Sequence, residues 1–187
     1  SKFADDVLGK LRQHYPNMDI QMEAYNRSEL LEQLDRDEID IVMGIKGILG
    51  RRRGLRKKDV AEIVRGILCR RKDWGDRQVL MPGDFRDETF FVVDEDGDMV
   101  LGSQIREFCE PYGFIPRIQY VNSFDTMLNY VEMGRGVLVC DEWTRCTESA
   151  ELLFVPLNSV HTVTLGWKEE SQNVALSVLI EEIEKSI

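Results

Sequence analysis

The stretch RIQYVNSFDTMLNYVEMGRGVLVC, residues 117–140, contains a complete strand–helix–strand pattern. Apolar and polar residues alternate in Arg117–Val121, which is typical of a half-buried strand. Gly134 ends a helix whose apolar residues recur at helical spacing: Phe124, Met127, Leu128 and Val131. Residues 136–140 form a short apolar run, as in a buried strand. Strand, helix and strand in this order predict a parallel α/β sheet.

Residues 3–43 repeat this order of elements. A helix that ends at Pro16 is predicted by its apolar residues: Phe3, Val7, Leu8, Leu11 and Tyr15. Residues 19–24 alternate between apolar and polar and predict a half-buried strand. A second helix is predicted on Leu30, Leu31 and Leu34, and residues 39–43 predict a short buried strand. The βα pattern occurs twice, so the sequence predicts two α/β lobes.

Further elements are predicted around these two patterns. Extended segments are predicted around residues 55–60 and 63–71, and strands at residues 89–93, 152–157 and 162–167. Helices are predicted at residues 101–112, ended by Gly113, and near the end of the sequence, where Leu176, Leu179, Ile180, Ile183 and Ile187 recur at helical spacing. Residues 45–58 are rich in Gly and Arg and predict a loop.

Composition limits the functional classes. The 187 residues carry a net charge of -10, which disfavours non-specific binding to nucleic acid. No apolar run reaches the roughly 20 residues of a membrane helix, so no membrane partner is predicted. Residues 1–10 are typical of a helix start rather than a signal peptide. The four cysteines form no C-x-x-C pair, and apolar neighbours indicate buried free thiols in a reducing, cytoplasmic compartment.

Several segments, in order, resemble the effector-binding domain of LysR-type transcriptional regulators. They are LRQHYP (11–16), ELLEQL (29–34), DEIDIV (37–42), DFRDETFF (84–91), FIPR (114–117), NSFDTML (122–128), VEMGRGV (131–137) and LGWK (165–168). The resemblance implies a two-lobed α/β fold of the type 2 periplasmic-binding-protein class with two crossover strands. Lobe one would comprise residues 1–65 and 164–187, and lobe two residues 66–163. The family begins this domain with a strand before the first helix, and this sequence lacks it.

The resemblance also implies a function. Family members bind a small-molecule effector between the lobes, and no cofactor is expected. They act as homodimers, as tetramers in the full-length protein, and contact DNA only through an N-terminal winged helix-turn-helix that is not part of this sequence. The alternative is a solute-binding protein of the same fold that serves transport. A third interpretation is an interaction domain without a ligand.

Candidate effector-binding residues lie where strands lead into helices or loops, since ligands of doubly wound sheets bind beyond the carboxyl ends of the strands. Free N–H groups at helix N-termini favour an anionic effector there. By resemblance, the role is carried to Ser1, Asn26, Gly44, Ile45, Lys46, Asn122, Ser123 and Phe124. Helix capping alone is the alternative for Asn26, Asn122 and Ser123, and a solvated loop lysine is the alternative for Lys46.

Other charged segments have weaker interpretations. Residues 51–77 carry eleven bases, which form either a solvated face or a surface that attracts an anionic effector. Residues 94–98 resemble half of a calcium loop, but the later glutamate of that motif is misplaced, so no metal is predicted. The sequence shows no nucleophile with a base and an orienting group, so it does not predict an enzyme.

Overall fold

The structure, a computed structural model, combines helices and strands and describes residues 2–25, 27–77, 79–94 and 100–186. The helices are α1 (Lys2–His14), α2 (Arg27–Asp35), α3 (Arg71–Trp74), α4 (Val100–Cys109), α5 (Phe124–Glu132) and α6 (Ala175–Lys185). The strands are β1 (Val42–Ile45), β2 (Leu55–Arg70), β3 (Thr89–Val93), β4 (Arg117–Val121), β5 (Leu138–Asp141) and β6 (Leu152–Lys168). Short 3₁₀ helices occupy Pro82–Phe85, Glu110–Tyr112 and Arg145–Glu148. No helix within these ranges is long and apolar enough to cross a membrane.

The chain divides into two units, and each has its own apolar clusters. Unit 1 comprises Ser1–Ile63 and His161–Ile187, and unit 2 comprises Val64–Val160. The chain leaves unit 1 within β2 and re-enters it within β6.

Unit 1 is built around the antiparallel pair of β1 and β6, in which Val42 lies opposite Gly166 and Ile45 opposite Val163. Helices α1 and α6 pack against each other and cover this pair. Their buried residues form one cluster with β6: Val7, Leu11, Leu165 and Ile183. A second cluster joins α2 to β1: Leu30, Leu34, Val42 and Leu49.

Unit 2 contains the parallel sheet that residues 117–140 predict. Strands β3 and β4 are parallel, with Thr89 opposite Arg117 and Val93 opposite Val121. Phe90 and Val137 form a parallel bridge, so the chain that follows α5 returns beside β3. Strand β5 then pairs with the second half of β2 in antiparallel register. The predicted strand–helix–strand unit is confirmed here, although its second strand begins at Leu138 rather than two residues earlier.

Two pairs of predicted strands prove to be single long strands. Leu55–Arg70 form one strand, β2, and Leu152–Lys168 form one strand, β6. Polar or small residues interrupt the apolar runs, but β2 and β6 are neighbours in the sheet order β1-β6-β2-β5. Their backbone pairing therefore continues where the side chains are exposed. The predicted loop shrinks accordingly, because Ile45 belongs to β1 and Leu55 already belongs to β2.

Two predictions near the start of the chain need correction. Residues 19–24 are not a strand, because no described strand pairs with them. The strand predicted at residues 39–43 begins only at Val42, where pairing with Gly166 of β6 begins. Alternation in sequence reports which side chains are buried, whereas a strand also requires a backbone partner.

Candidate functional site

The predicted site residues of unit 1 lie at the end of β1. Gly44 is opposite Thr164 and Ile45 is opposite Val163 in the pair with β6. The N–H of Lys46 donates to the carbonyl oxygen of Thr162 at 2.7 Å, which extends the ladder by one residue. Lys46 is therefore held at the backbone by β6, at the start of the turn that follows β1.

The ammonium of Lys46 is paired with a carboxylate. Its Nζ lies 2.5 Å from Oδ2 of Asp59, and Oγ1 of Thr164 donates to Oδ1 of the same carboxylate at 2.6 Å. The hydrogen bond from Lys46, and then that from Thr164, lower the pKa of Asp59. The side chain of Lys46 is 64% exposed, so it is a solvated lysine that also carries an ion pair. An anionic ligand at Lys46 has to compete with Asp59.

The predicted site residues of unit 2 lie at the carboxyl edge of the parallel pair β3–β4. Because Val93 and Val121 are in register, the residues that follow them, Asp94 and Asn122, emerge at the same edge. The N–H of Asp94 donates to the carbonyl oxygen of Val121 at 2.9 Å, which fixes the two loops together. This edge is where ligands of parallel sheets bind.

Ser123 caps helix α5. Its Oγ accepts a hydrogen bond from the N–H of Thr126 at 3.2 Å and lies 2.9 Å from Oγ1 of Thr126. Oγ1 of Thr126 also donates to Oδ1 of Asn122 at 3.2 Å. The capping interpretation is confirmed for Ser123. The predicted ligand role is compatible with it, because Asn122 and the first residue of the helix, Phe124, remain exposed.

Three side chains of unit 2 that are not among the predicted effector-binding residues each have a buried polar atom. Arg65 Nε, Asp94 Oδ1 and Tyr120 Oη are buried and lack a hydrogen-bond partner in the described part of the chain. Such atoms are uncommon in folded proteins and require an explanation, of which a polar ligand is one. The sequence did carry a signal for Tyr120, because it lies one residue before Val121 in the strand that leads to Asn122.

Helix α4 supports two of these side chains. The guanidinium carbon of Arg65 lies 5.3 Å from the centre of the Phe108 ring. Burial lowers the pKa of Arg65, and the negative charge of Asp141 opposes that shift. A Cβ atom on Gly102 would lie 2.0 Å from the hydroxyl oxygen of Tyr120, so the hydroxyl lies directly against the helix backbone.

The remaining sequence predictions are placed as follows. Ser1 and Asn26 lie outside the described residues, as do residues 95–98 of the acidic segment.

In the basic window, residues 51–77, several side chains form pairs within the chain: Arg52 with Asp35, Lys58 with Glu184, Arg70 with Asp73, and Arg77 with the Trp74 ring. These contacts favour a structural role for much of the window. Among the described residues, no group of three His, Cys, Asp or Glu side chains is arranged to hold a metal ion.

Comparison with known proteins identifies the family. The family model of the LysR substrate binding domain matches residues 1–186. No curated protein sequence matches the chain. Among solved structures, the LysR family transcriptional regulator CbnR is 14% identical with a TM-score of 0.80, and the comparison covers 98% of this chain and 64% of CbnR. The chain thus spans less than two thirds of that regulator.

Two isolated domains are similar over most of their length. The effector binding domain of BenM with its effector benzoate is 17% identical, with a TM-score of 0.77 and 97% of this chain and 84% of that chain covered. The regulatory domain of CcmR from Synechocystis PCC6803 in complex with 2-PG is 15% identical, with a TM-score of 0.77 and 98% and 90% covered. At these identities the likeness shows the fold, which confirms the predicted two-lobed class. Because the family model covers nearly every residue, the chain belongs to the LysR substrate binding domain family.

Proposed function

We propose that this chain is the effector-sensing domain of a LysR-type transcriptional regulator and that a small polar molecule binds at the carboxyl edge of β3 and β4. The observation that carries the proposal is the convergence of Asp94, Asn122 and Ser123 at that edge. Within the described residues, Oδ1 of Asp94 and Oη of Tyr120 in the same unit have no hydrogen-bond partner, which supports it. The family match favours this function over transport by a solute-binding protein.

The chemistry of the edge defines the class of effector. The start of α5 favours an acidic group on the ligand, because the first N–H groups of a helix attract negative charge. The Asp94 carboxylate favours a hydrogen-bond donor such as a hydroxyl or an amine. An effector that carries both groups, a hydroxy acid or an amino acid, satisfies the two requirements together. Binding by Gly44, Ile45 and Lys46 remains a prediction.

A binding screen with matched variants tests this assignment. Lactate, citrate, benzoate and the common amino acids are screened by thermal shift, and the hits are measured by calorimetry. We expect Asn122→Ala and Asp94→Asn to weaken binding of a hit at least about tenfold, the loss of one good polar contact. Asn129→Ala, on the exposed side of the same helix, is the control and should bind normally. Equal binding by all three variants would exclude this edge as the site.

The rest of the proposed protein lies outside the 187 residues. A full-length regulator would contact DNA through an N-terminal winged helix-turn-helix, work in the cytoplasm and assemble as a dimer or tetramer.

For this domain we propose an isologous dimer in which α1 and residues 19–24 of one copy pack against α4 of the other. Light scattering across a range of concentrations tests this, and a monomer at high concentration contradicts it. We also propose that the domain is not an enzyme. Incubation of each bound hit with the chain tests this, and conversion of the hit to a product contradicts it.

A further inference from the structure

Two thiols of unit 2 lie in contact with each other, on elements that the effector proposal does not use. Cys140 is in β5 and Cys146 is in the 3₁₀ helix Arg145–Glu148, and the two thiols are hydrogen-bonded to each other. Cys140 belongs to a buried apolar cluster, and Cys146 packs against the same cluster. The other two cysteines, Cys69 and Cys109, lie in a different cluster.

The turn between the two cysteines is held by its own hydrogen bonds. The N–H of Thr144 donates to the carbonyl oxygen of Asp141 at 3.1 Å. The carboxylate of Asp141 accepts two more hydrogen bonds, from the N–H of Trp143 at 3.0 Å and from the hydroxyl of Thr144 at 3.2 Å. These bonds turn the chain back after β5, so that Cys146 lies beside Cys140.

The two thiols differ in exposure and in acidity. Cys146 is partly exposed, whereas Cys140 is buried. The hydrogen bond from Cys140 lowers the pKa of Cys146, while the hydrogen bond to Cys146, and then burial, raise the pKa of Cys140. Because the thiolate is the nucleophile in thiol chemistry, Cys146 is the better nucleophile of the two. Cys140 is placed to attack a group that is attached to Cys146.

We propose that Cys140 and Cys146 form a redox-active dithiol, a modification site whose substrate is a small-molecule disulfide. The thiolate sulfur of Cys146 attacks one sulfur of that disulfide, so that a mixed disulfide forms and the other half leaves as a thiolate. This thiolate takes up the proton that Cys146 released on ionisation. The sulfur of Cys140 then attacks the sulfur of Cys146, and the second half leaves as a thiol with the proton of Cys140. The dithiol is thereby oxidised to a disulfide, and the small-molecule disulfide is reduced to two thiols.

The same turn is bonded to β2, so the modification acts beyond the two cysteines. The N–H of Glu142 donates to the carbonyl oxygen of Val64 at 2.9 Å, and the N–H of Val64 donates to Oε1 of Glu142 at 2.8 Å. Val64 is the residue of β2 at which unit 2 begins. A disulfide closes a covalent ring that contains Glu142, and such a ring has fewer open conformations than the turn alone. Oxidation therefore stabilises the contact between this turn and β2.

The first test uses the reduced 187-residue chain, incubated with oxidised glutathione and then alkylated and digested with trypsin. Cleavage after Arg145 places the two cysteines on separate peptides, so a disulfide between them appears in the mass spectrum as a crosslink. We expect a crosslink between Cys140 and Cys146 that dithiothreitol reverses, while Cys69 and Cys109 are alkylated as free thiols. A crosslink between any other pair, or no crosslink, would overturn the proposal.

Matched variants separate the two chemical steps. Cys140→Ser keeps a donor to Cys146 but cannot complete the second step, so it should accumulate one glutathione on Cys146. Cys146→Ser should leave Cys140 reduced, because the attacking thiolate is missing. Cys109→Ser removes a buried thiol of the other cluster and is the control, which should still form the crosslink. If Cys140→Ser, folded by circular dichroism, takes up no glutathione at Cys146, Cys146 is not the attacking thiol.

Hydrogen exchange tests the effect on the turn. We expect amide exchange of residues 142–149 to slow at least about tenfold in the oxidised chain, and exchange in α1, in unit 1, to stay the same. Unchanged exchange in an oxidised chain would overturn the stabilisation of the turn against β2. None of these outcomes bears on effector binding at Asp94 and Asn122, so the two proposals fail separately.

Discussion

The ammonium of Lys46 and the carboxylate of Asp59 lie 2.5 Å apart, and Thr164 donates to the other oxygen of that carboxylate. Three strands that are neighbours in the sheet thus meet at one charged group: the end of β1, the second half of β6 and the first half of β2. The pair is exposed, so its contribution to stability is small, but its effect on titration is measurable.

The titration of Asp59 should depend on Lys46. The pKa of Asp59 is lowered in the folded chain, so the pair stabilises the fold above the carboxyl's ordinary pKa, and this contribution disappears as the pH falls through the lowered value. We expect Lys46→Met to raise the pKa of Asp59, measured by NMR of the side-chain carboxyl. Lys57→Met removes the same charge nearby, where Lys57 bonds to the carbonyl of Gly50, and is the control. An unchanged titration in Lys46→Met would show that the pair does not form in solution.

The hydrogen bond by which Ser123 caps α5 should contribute measurably to the free energy of unfolding. Ser123→Ala removes the acceptor for the N–H of Thr126, and we expect a loss of about 1 kcal/mol in the free energy of unfolding. Urea denaturation gives the value. Ser123→Asp keeps an acceptor at the cap and should retain most of the stability. If both variants lose the same amount, the effect is not capping.

The four thiols should differ strongly in reactivity. Burial raises the pKa of Cys69 to about 12 and that of Cys109 to about 11, whereas a hydrogen bond from Cys140 lowers the pKa of Cys146. At pH 8 the thiolate fraction of Cys69 is about one in ten thousand, and the thiolate is the reactive form. The hydrogen bond to Cys146, and then burial, raise the pKa of Cys140 as well. We expect iodoacetamide to modify Cys146 first and Cys69, Cys109 and Cys140 far more slowly, as followed by mass spectrometry of digests. In urea all four should react at similar rates; equal rates in the folded chain would contradict this ordering.

The sequence predicted unit 2 better than unit 1, and the reason is physical. In Arg117–Val121 and α5, apolar periodicity, a cap and a stop signal agree, and the strands have their partners within the chain. Residues 19–24 show equally clear alternation, yet no strand pairs with them. The long strands β2 and β6 were split because their exposed residues carry no apolar signal.

The candidate site was predicted in part. Ser123 and Asn122 follow a strand and precede a helix, which is a local signal visible in the sequence. Asp59 and Thr164 come close to Lys46 because strands that are far apart in the sequence pair in the sheet. No local sequence pattern predicts such contacts. Arg65 and Tyr120 were counted among loop bases and strand residues, because burial without a partner is known only once the chain is folded.

The contact between Gly102 and Tyr120 allows a double-mutant test of unit 2. A Cβ at position 102 would lie 2.0 Å from the Tyr120 hydroxyl oxygen, so Gly102→Ala should destabilise the fold by about 1–3 kcal/mol, as overpacking does. Tyr120→Phe removes that oxygen, which is buried and has no hydrogen-bond partner among the described residues, and should by itself be neutral or slightly stabilising. The next atom of the ring, Cζ, is 3.0 Å from the same point, so Gly102→Ala should cost less in the Tyr120→Phe background. Unfolding free energies of the four chains give the coupling directly. Additive costs would mean that the hydroxyl turns away from α4, and a marked loss of stability in Tyr120→Phe alone would mean that the hydroxyl has a bonding partner.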